Sequence, residues 1–224
     1  MATKTENILE IRPLKIIETE IRIVGDSPLI MHGWSEKAKR QMLEAQMGKA
    51  KGKKKAIRRP ADDFIQSMYW LSGKPEYSDD APDEECLAAY HEAIAKGATF
   101  GFPVKAFKQA AQSAAYRLGW TKNQMGLRGA FFIKDTSCGL IQIHSDEPVM
   151  REDMVRVGMG SADLRYRAQF NNWSATLPIS FNAAGEYSLE AIVNAINAGG
   201  YVVGVGEWRP EKDGTYGQFH VATA

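Results

Sequence analysis

Four glycines within fourteen residues, Gly204, Gly206, Gly214 and Gly217, limit what the later part of this chain can build. They lie in GVGEWRPEKDGTYGQF, Gly204 to Phe219, with Trp208, Arg209, Lys212 and Tyr216 between them. Neither a helix nor a strand interior accepts that glycine density, so the segment is a loop presented by a packed domain. It is not a Walker loop, because no Gly-Lys-Ser/Thr triplet occurs in it. It is not a dinucleotide fingerprint either, because the strand-like QFHVA follows it where that motif needs a helix. Glycine N–H groups can hold phosphate oxygens, an arginine supplies a charged fork, and aromatic rings supply stacking faces. Those are the parts of a single-strand binder. A long hairpin whose glycines serve turn geometry, with Trp208 packed on the domain, stays open.

The rest of the chain is read from periodicity. Leu14 to Met31 alternates apolar and polar positions through Ile21 and Ile23, breaks at Asp26-Ser27-Pro28, and resumes as a second extended piece. Ser35 caps a helix-forming run, EKAKRQMLEAQM, which dissolves at Gly48 into the low-complexity GKAKGKKKAIRRP, expected to be mobile. Ala61 to Leu71 has apolar residues at helical spacing, and SGKPEYSDDAPDEE reads as a loop. Phe102-Pro103 opens a helix, VKAFKQAAQSAAYRL, whose alanines permit close packing and whose Gly119 suits a C-terminal cap. Ala130 to Ile143 predicts a strand pair around an Asp135–Gly139 turn, and WSATLPISF a further strand. Ser188 to Ala198 predicts an amphipathic helix stopped by Gly199-Gly200, then an apolar strand, YVVGVG, and a last strand in QFHVA. With residues 36–96 set aside as an inserted, partly helical and partly flexible subdomain, the order is strand, helix, strand, strand, helix, strand. The expected class is α+β, with a ferredoxin-like (RRM-like) βαββαβ core over 1–35 and 97–224.

Composition adds bounds. The 224 residues are 44% hydrophobic and 25% charged, which suits one large domain with an insertion. No apolar run reaches eighteen residues and no signal-peptide pattern opens the sequence, so a soluble, cytoplasmic protein without membrane contact is expected. Cys86 and Cys138 are too few for a disulfide framework and are expected to be buried thiols. The formal net charge of +1 conceals a segregation: ten Lys and Arg against one acid between Lys37 and Arg59, then nine acids against one base between Asp62 and Glu92. A polyanion would meet a local positive field there, unless the acidic run shields it or pairs with a neighbouring subunit. A second cationic group, Arg165-Tyr166-Arg167 ahead of Gln169-Phe170-Asn171-Asn172-Trp173, mixes cations, amides and rings. It suits a nucleic-acid strand or a protein interface.

Three segments together resemble the RAMP superfamily, ferredoxin-like RNA-binding proteins that include backbone and processing subunits of CRISPR effector complexes. The C-terminal glycine-rich loop of that family is similar to Gly204-Val205-Gly206 with Gly214-Thr215-Tyr216-Gly217-Gln218-Phe219. Its opening strand and Pro-Leu-apolar turn look like IRIVGDSPLIMHG, and its proline-small-lysine helix start looks like Phe102-Pro103-Val104-Lys105. Lys105 and Ala106 depart from the small hydroxyl and glycine usual there, and Trp208-Arg209-Pro210 intervenes in the loop. A stand-alone or virus-encoded relative is equally compatible. The resemblance implies a non-catalytic binder of single-stranded nucleic acid, with RNA favoured over DNA, that oligomerises along the strand without a cofactor.

Chemistry then distributes the roles. Lys37, Lys39, Arg40, Lys105 and Lys108 go to phosphates, Gly204, Gly206, Trp208, Arg209 and Lys212 to the loop contact, and Arg165 and Arg167 to the facing edge. The four histidines, His32, His91, His144 and His220, stand in no zinc or nucleophile motif, so no metal site is expected. Two other readings stay open. One is a structural or assembly protein, of viral or other origin, whose glycine loop contacts a neighbour; the other is a metal-independent endoribonuclease with His32 as base.

Overall fold

A computed structural model describes residues 13–48, 58–135, 138–157 and 161–222, without the side chains of Lys37, Val157 and Ser161. In chain order the elements are β1 (Ile16–Gly25), β2 (Leu29–Met31), α1 (Glu36–Gln46), α2 (Pro60–Gln66), β3 (Tyr69–Ser72), α3 (Asp83–Ala95), β4 (Thr99–Pro103), α4 (Val104–Arg117), β5 (Phe131–Ile133) and β6 (Leu140–Ile143). A long ribbon of β7 (Val149–Val157) and β8 (Ser161–Phe170) follows, then β9 (Ser174–Asn182), α5 (Leu189–Val202) and β10 (Phe219–Val221). The class is mixed α+β, with five α-helices and three antiparallel sheets among the described residues. Most of the lysine-rich run, residues 49–57, lies outside them.

The first sheet has the order β10-β1-β9-β5. Alternation dictates its inner face: Ile21 and Ile23 of β1 and Ala175, Leu177, Ile179 and Phe181 of β9 are buried. Helices α4 and α5 pack together over it, α5 also touching β10 and α4 touching β5. Phe107 of α4 meets Trp173 and Phe219 at ring-centre distances of 6.5 and 5.8 Å. Buried Ala110, Ala111, Ala114 and Ala115 make α4 thin enough for α5 to come close.

That closeness corrects the sequence reading of Gly199-Gly200. The two glycines do not stop the helix; α5 runs on to Val202, so YVVGVG forms no strand. A Cβ on Gly199 would stand 2.7 Å from the Ala111 nitrogen, and one on Gly200 1.9 Å from the Phe219 carbonyl oxygen. Both are placed by contact with α4 and β10 and have no part in ending the helix. Ser188 caps the helix as expected, its hydroxyl accepting from the Ala191 N–H at 3.2 Å.

The other sheets have the orders β2-β8-β7 and β3-β4-β6. Two further expectations change here. The strands flanking the 135–139 turn do not pair with each other: β5 joins β9 and β6 joins β4. The helix beginning at Pro60 ends at Gln66, and Tyr69 and Trp70 pair instead with Gly101 and Phe100 in β3, where the Trp70 indole donates to the Ile65 carbonyl at 3.0 Å. Within 36–96, α2 packs on β8 and α3. Buried Ser67 fastens it, donating to Phe64 O at 2.7 Å and accepting from the Ala168 N–H at 2.8 Å. Cys86 is buried, whereas Cys138 is exposed at the start of the turn into β6 with φ +50°.

Candidate nucleic-acid interface

The glycine loop closes on the chain itself. Gly204, Gly206 and Gly217 have φ of +68°, +79° and +66°, a region that L side chains avoid. The loop lies against the β1–β2 turn: Glu207 N–H donates to Ile30 O at 3.0 Å and Gly217 N–H to Pro28 O at 2.8 Å. A Cβ on Gly206 would be 2.5 Å from Ile30 O, and one on Gly217 1.7 Å from Val205 O. Gly204, Gly214 and Gly217 spend their N–H groups inside the chain, on Gly199, Arg209 and Pro28. Arg209 folds over the loop, donating to Gly206 O at 2.9 Å and forking onto Glu211 Oε2 at 2.7 and 3.1 Å; Arg117 reaches the same carboxylate's other oxygen at 3.0 Å. Trp208, at φ +53°, is 37% exposed, and Lys212 follows it in a short 3₁₀ turn.

Beside the loop, Arg167 is buried, 1% exposed. It donates to Asp153 Oδ2 at 3.2 Å and to His32 Nδ1 at 3.4 Å, and its second terminal nitrogen stands 3.5 Å from Glu207 Oε2. One guanidinium thus joins β8, β7, the end of β2 and the glycine loop. Burial, then the Arg167 and Arg165 charges, hold the His32 imidazole below its ordinary pKa against the opposing pull of Glu207 and Asp63. His32 is therefore neutral at pH 7, with Nδ1 free to accept.

Two concavities share His32 as a wall. The first is bounded by Gly33, Trp34, Arg58, Asp63, Arg165 and Tyr166. Its Trp34 ring is 58% exposed, and its arginines are already paired, Arg58 with Asp63 and Asp163, Arg165 with Asp163 at 3.6 Å. The second, about 640 Å³, lies between α4, the 124–128 segment and the glycine loop, and its polar lining includes Gln109, Gln112, Ser113, Gln124 and Arg128. Glutamine amides and a hydroxyl can meet base edges, and the Trp34 face can take a stacked ring.

The remaining expected cations are dispersed. Lys39 bonds Glu36 at 2.7 Å and Arg40 lies 3.9 Å from Asp79, both on or beside α1. The Lys37 side chain is outside the description. Lys105 is exposed at the start of α4; Lys108, one turn on, sits 4.1 Å from the centre of the Phe132 ring, its pKa lowered by burial and by Arg128. Lys105, Arg128 and Lys212 have no carboxylate within ion-pair distance among the described residues. Sequence reasoning missed the polar stripe of α4, although Gln109, Gln112 and Ser113 recur at i, i+3 and i+4 opposite the alanines, and it missed Arg128 altogether. Among the described residues no group of three His, Cys, Asp or Glu is arranged to hold a metal, and no helix is long and apolar enough to cross a membrane. No protein-family model matches the chain, and no curated protein matches it.

Proposed function

We propose that this chain is a non-catalytic single-stranded nucleic-acid-binding protein, RNA favoured, with a ferredoxin-like core of the RAMP type and residues 36–96 inserted into it. The core reading is supported by β1, α4, β5, β9, α5 and β10, which follow the βαββαβ order and whose strands lie in the spatial sequence fourth, first, third, second. The observation that carries the binding reading is the pair of concavities meeting at His32, one with an open indole and the other with three glutamines and the unpaired Arg128. A strand laid across both would stack on Trp34, offer base edges to the α4 amides, and place phosphates near Arg128 and Lys105. The glycine loop forms one wall of this path, and its inward N–H groups leave Trp208 and Lys212 as its outward contacts. Protomers would then lie side by side along the strand.

Fluorescence anisotropy with a labelled single-stranded RNA at low salt tests the assignment. Trp34→Ala with Arg128→Ala should weaken binding at least tenfold, since stacking of one base alone contributes about 1–3 kcal/mol. Unchanged affinity would remove these concavities from the site. A second reading, an assembly protein, is favoured by the loop's self-contained hydrogen bonding, which suits a rigid knob ending in Trp208. On that reading Trp208→Ala lowers the mass measured by light scattering without any nucleic acid present.

A further inference from the structure

The first concavity at His32 encloses about 460 Å³, the size of a small-molecule pocket, and its polar groups converge from α2, β8 and the turn between β2 and α1. Trp34 stands exposed on one wall. Its place is fixed from both sides. Gly33 N–H donates to Ser67 O at 2.7 Å, tying the turn to the end of α2, and a Cβ on Gly33 would lie 3.0 Å from that oxygen. Ser35 then caps α1, its hydroxyl accepting from the Ala38 N–H at 3.1 Å. The indole is thus presented on a short, doubly anchored turn, a preorganised face for a stacked base.

Two hydrogen-bonding groups are open in the same pocket. Asp63, on α2, accepts from Arg58 Nε through Oδ2 at 2.8 Å, whereas its Oδ1 has no partner among the described residues. The side chain is 36% exposed, and a carboxylate has two acceptor sites on each oxygen, so most of its capacity is unused. His32 Nδ1 accepts from Arg167 Nε at 3.4 Å, which puts the proton of the neutral ring on Nε2. That nitrogen also has no partner among the described residues. The pocket therefore offers a pair of acceptor oxygens, a single N–H donor and a flat aromatic face.

Every base edge can give one proton to a carboxylate and take one from an imidazole. Guanine alone adds a second donor beside the first: its N1–H and 2-amino group lie side by side, as the two carboxylate oxygens do, and its O6 is left to accept. We propose that this pocket holds a guanine base stacked on Trp34, with N1–H and the 2-amino group on Asp63 and O6 on His32. The proposal rests on the nucleic-acid reading and names the base that reading leaves open. A free guanine nucleotide presents the same edge, and the experiment separates the two sources.

The test compares three labelled RNA decamers on the full chain by fluorescence anisotropy: alternating adenosine and guanosine, alternating adenosine and inosine, and adenosine alone. Inosine lacks only the 2-amino group. One hydrogen bond to a charged group is worth about tenfold or more, and half the registers of the first strand place guanine in the pocket, so that strand should bind about fivefold or more tightly than the other two. Asp63→Asn, which keeps the shape and removes the paired acceptors, should bring the three strands to within about twofold of one another. Calorimetric titration with guanosine and inosine monophosphates separates the sources: preference for the guanosine nucleotide with none among the strands keeps the pocket and assigns it to a free nucleotide. Equal binding of the three strands, with the two mononucleotides also equal, would overturn the guanine pocket and leave the nucleic-acid reading standing. No binding of any strand or mononucleotide would overturn both. A guanine preference that survives Asp63→Asn would place the base elsewhere and overturn the proposal as well.

Discussion

At the scale of single residues, the decisive group is Arg167. It stands at the centre of the arginine cluster that sequence reading set on a ligand-facing edge, yet it is buried between Asp153, Glu207 and His32. Removing one partner of a buried ion pair leaves the other charge poorly compensated; Asp153 keeps Arg151 at 2.7 Å, so Arg167→Ala should destabilise in urea denaturation by less than the about 3–5 kcal/mol of a wholly unpaired buried charge. Asp153→Asn should also destabilise, by less, because an amide still accepts from the guanidinium. His32 adds a pH term whose sign follows from its lowered pKa. The unfolded chain binds the proton more readily, so stability present above the unfolded value of about 6.5 is lost as pH falls through it toward the lower folded value. Comparing unfolding free energies between pH 5 and 8, His32→Gln should show a flatter fall on the acid side than the native chain. An equal fall in both would take His32 out of the account.

Among elements, helix α5 is where propensity and packing pull in opposite directions. Alanine exceeds glycine in helix propensity by about 1 kcal/mol, so on propensity alone Gly199→Ala and Gly200→Ala would stabilise. Against α4 and β10 there is no room for a methyl group, and both changes should instead lower the melting temperature, Gly200→Ala the more because its neighbour is a carbonyl oxygen of β10. The same conflict explains what the sequence could and could not tell. Strands β1 and β9 were legible because one face is apolar at period two, and α4 because its run of alanines and helix formers ends at a glycine, although the Gln/Ser stripe opposite the alanines went unread. The end of α5 was not, since a Gly-Gly pair reads as a stop until the partner helix is known. The β7–β8 ribbon escaped notice because VMREDMVRV carries charge on both faces: Arg151 and Asp153 alternate with Glu152, and Asp153 is buried between two arginines, Arg151 at 2.7 Å and Arg167 at 3.2 Å. Within the candidate interface, the glycine loop was visible from its spacing, whereas its inward hydrogen bonds and the part played by Arg128 depend on segments far apart in sequence.

For the whole molecule, the balance of charge sets the expected behaviour toward a polyanion. Most arginines near His32 are already neutralised by the chain's own acids: Arg58 by Asp63 and Asp163, Arg167 by Asp153, and Arg209 by Glu211. The cations left open along the path are few, Lys105, Arg128 and Lys212, with Lys108 held against an aromatic face. Binding should therefore rest on stacking and amide contacts with only a modest counterion term, and the long basic run should matter little to it. Replacing the lysines at 51, 53, 54 and 55 by glutamine is expected to change affinity for a short single strand by less than threefold; a larger loss would move the main contact to that run. The most direct measurement is the salt dependence of that affinity. At roughly −0.7 in log–log slope per phosphate neutralised, three to four open cations predict a slope of about −2 to −3, or a loss near 30-fold from 50 to 200 mM salt. No binding at the lowest salt, or an affinity flat across that range, would contradict the account.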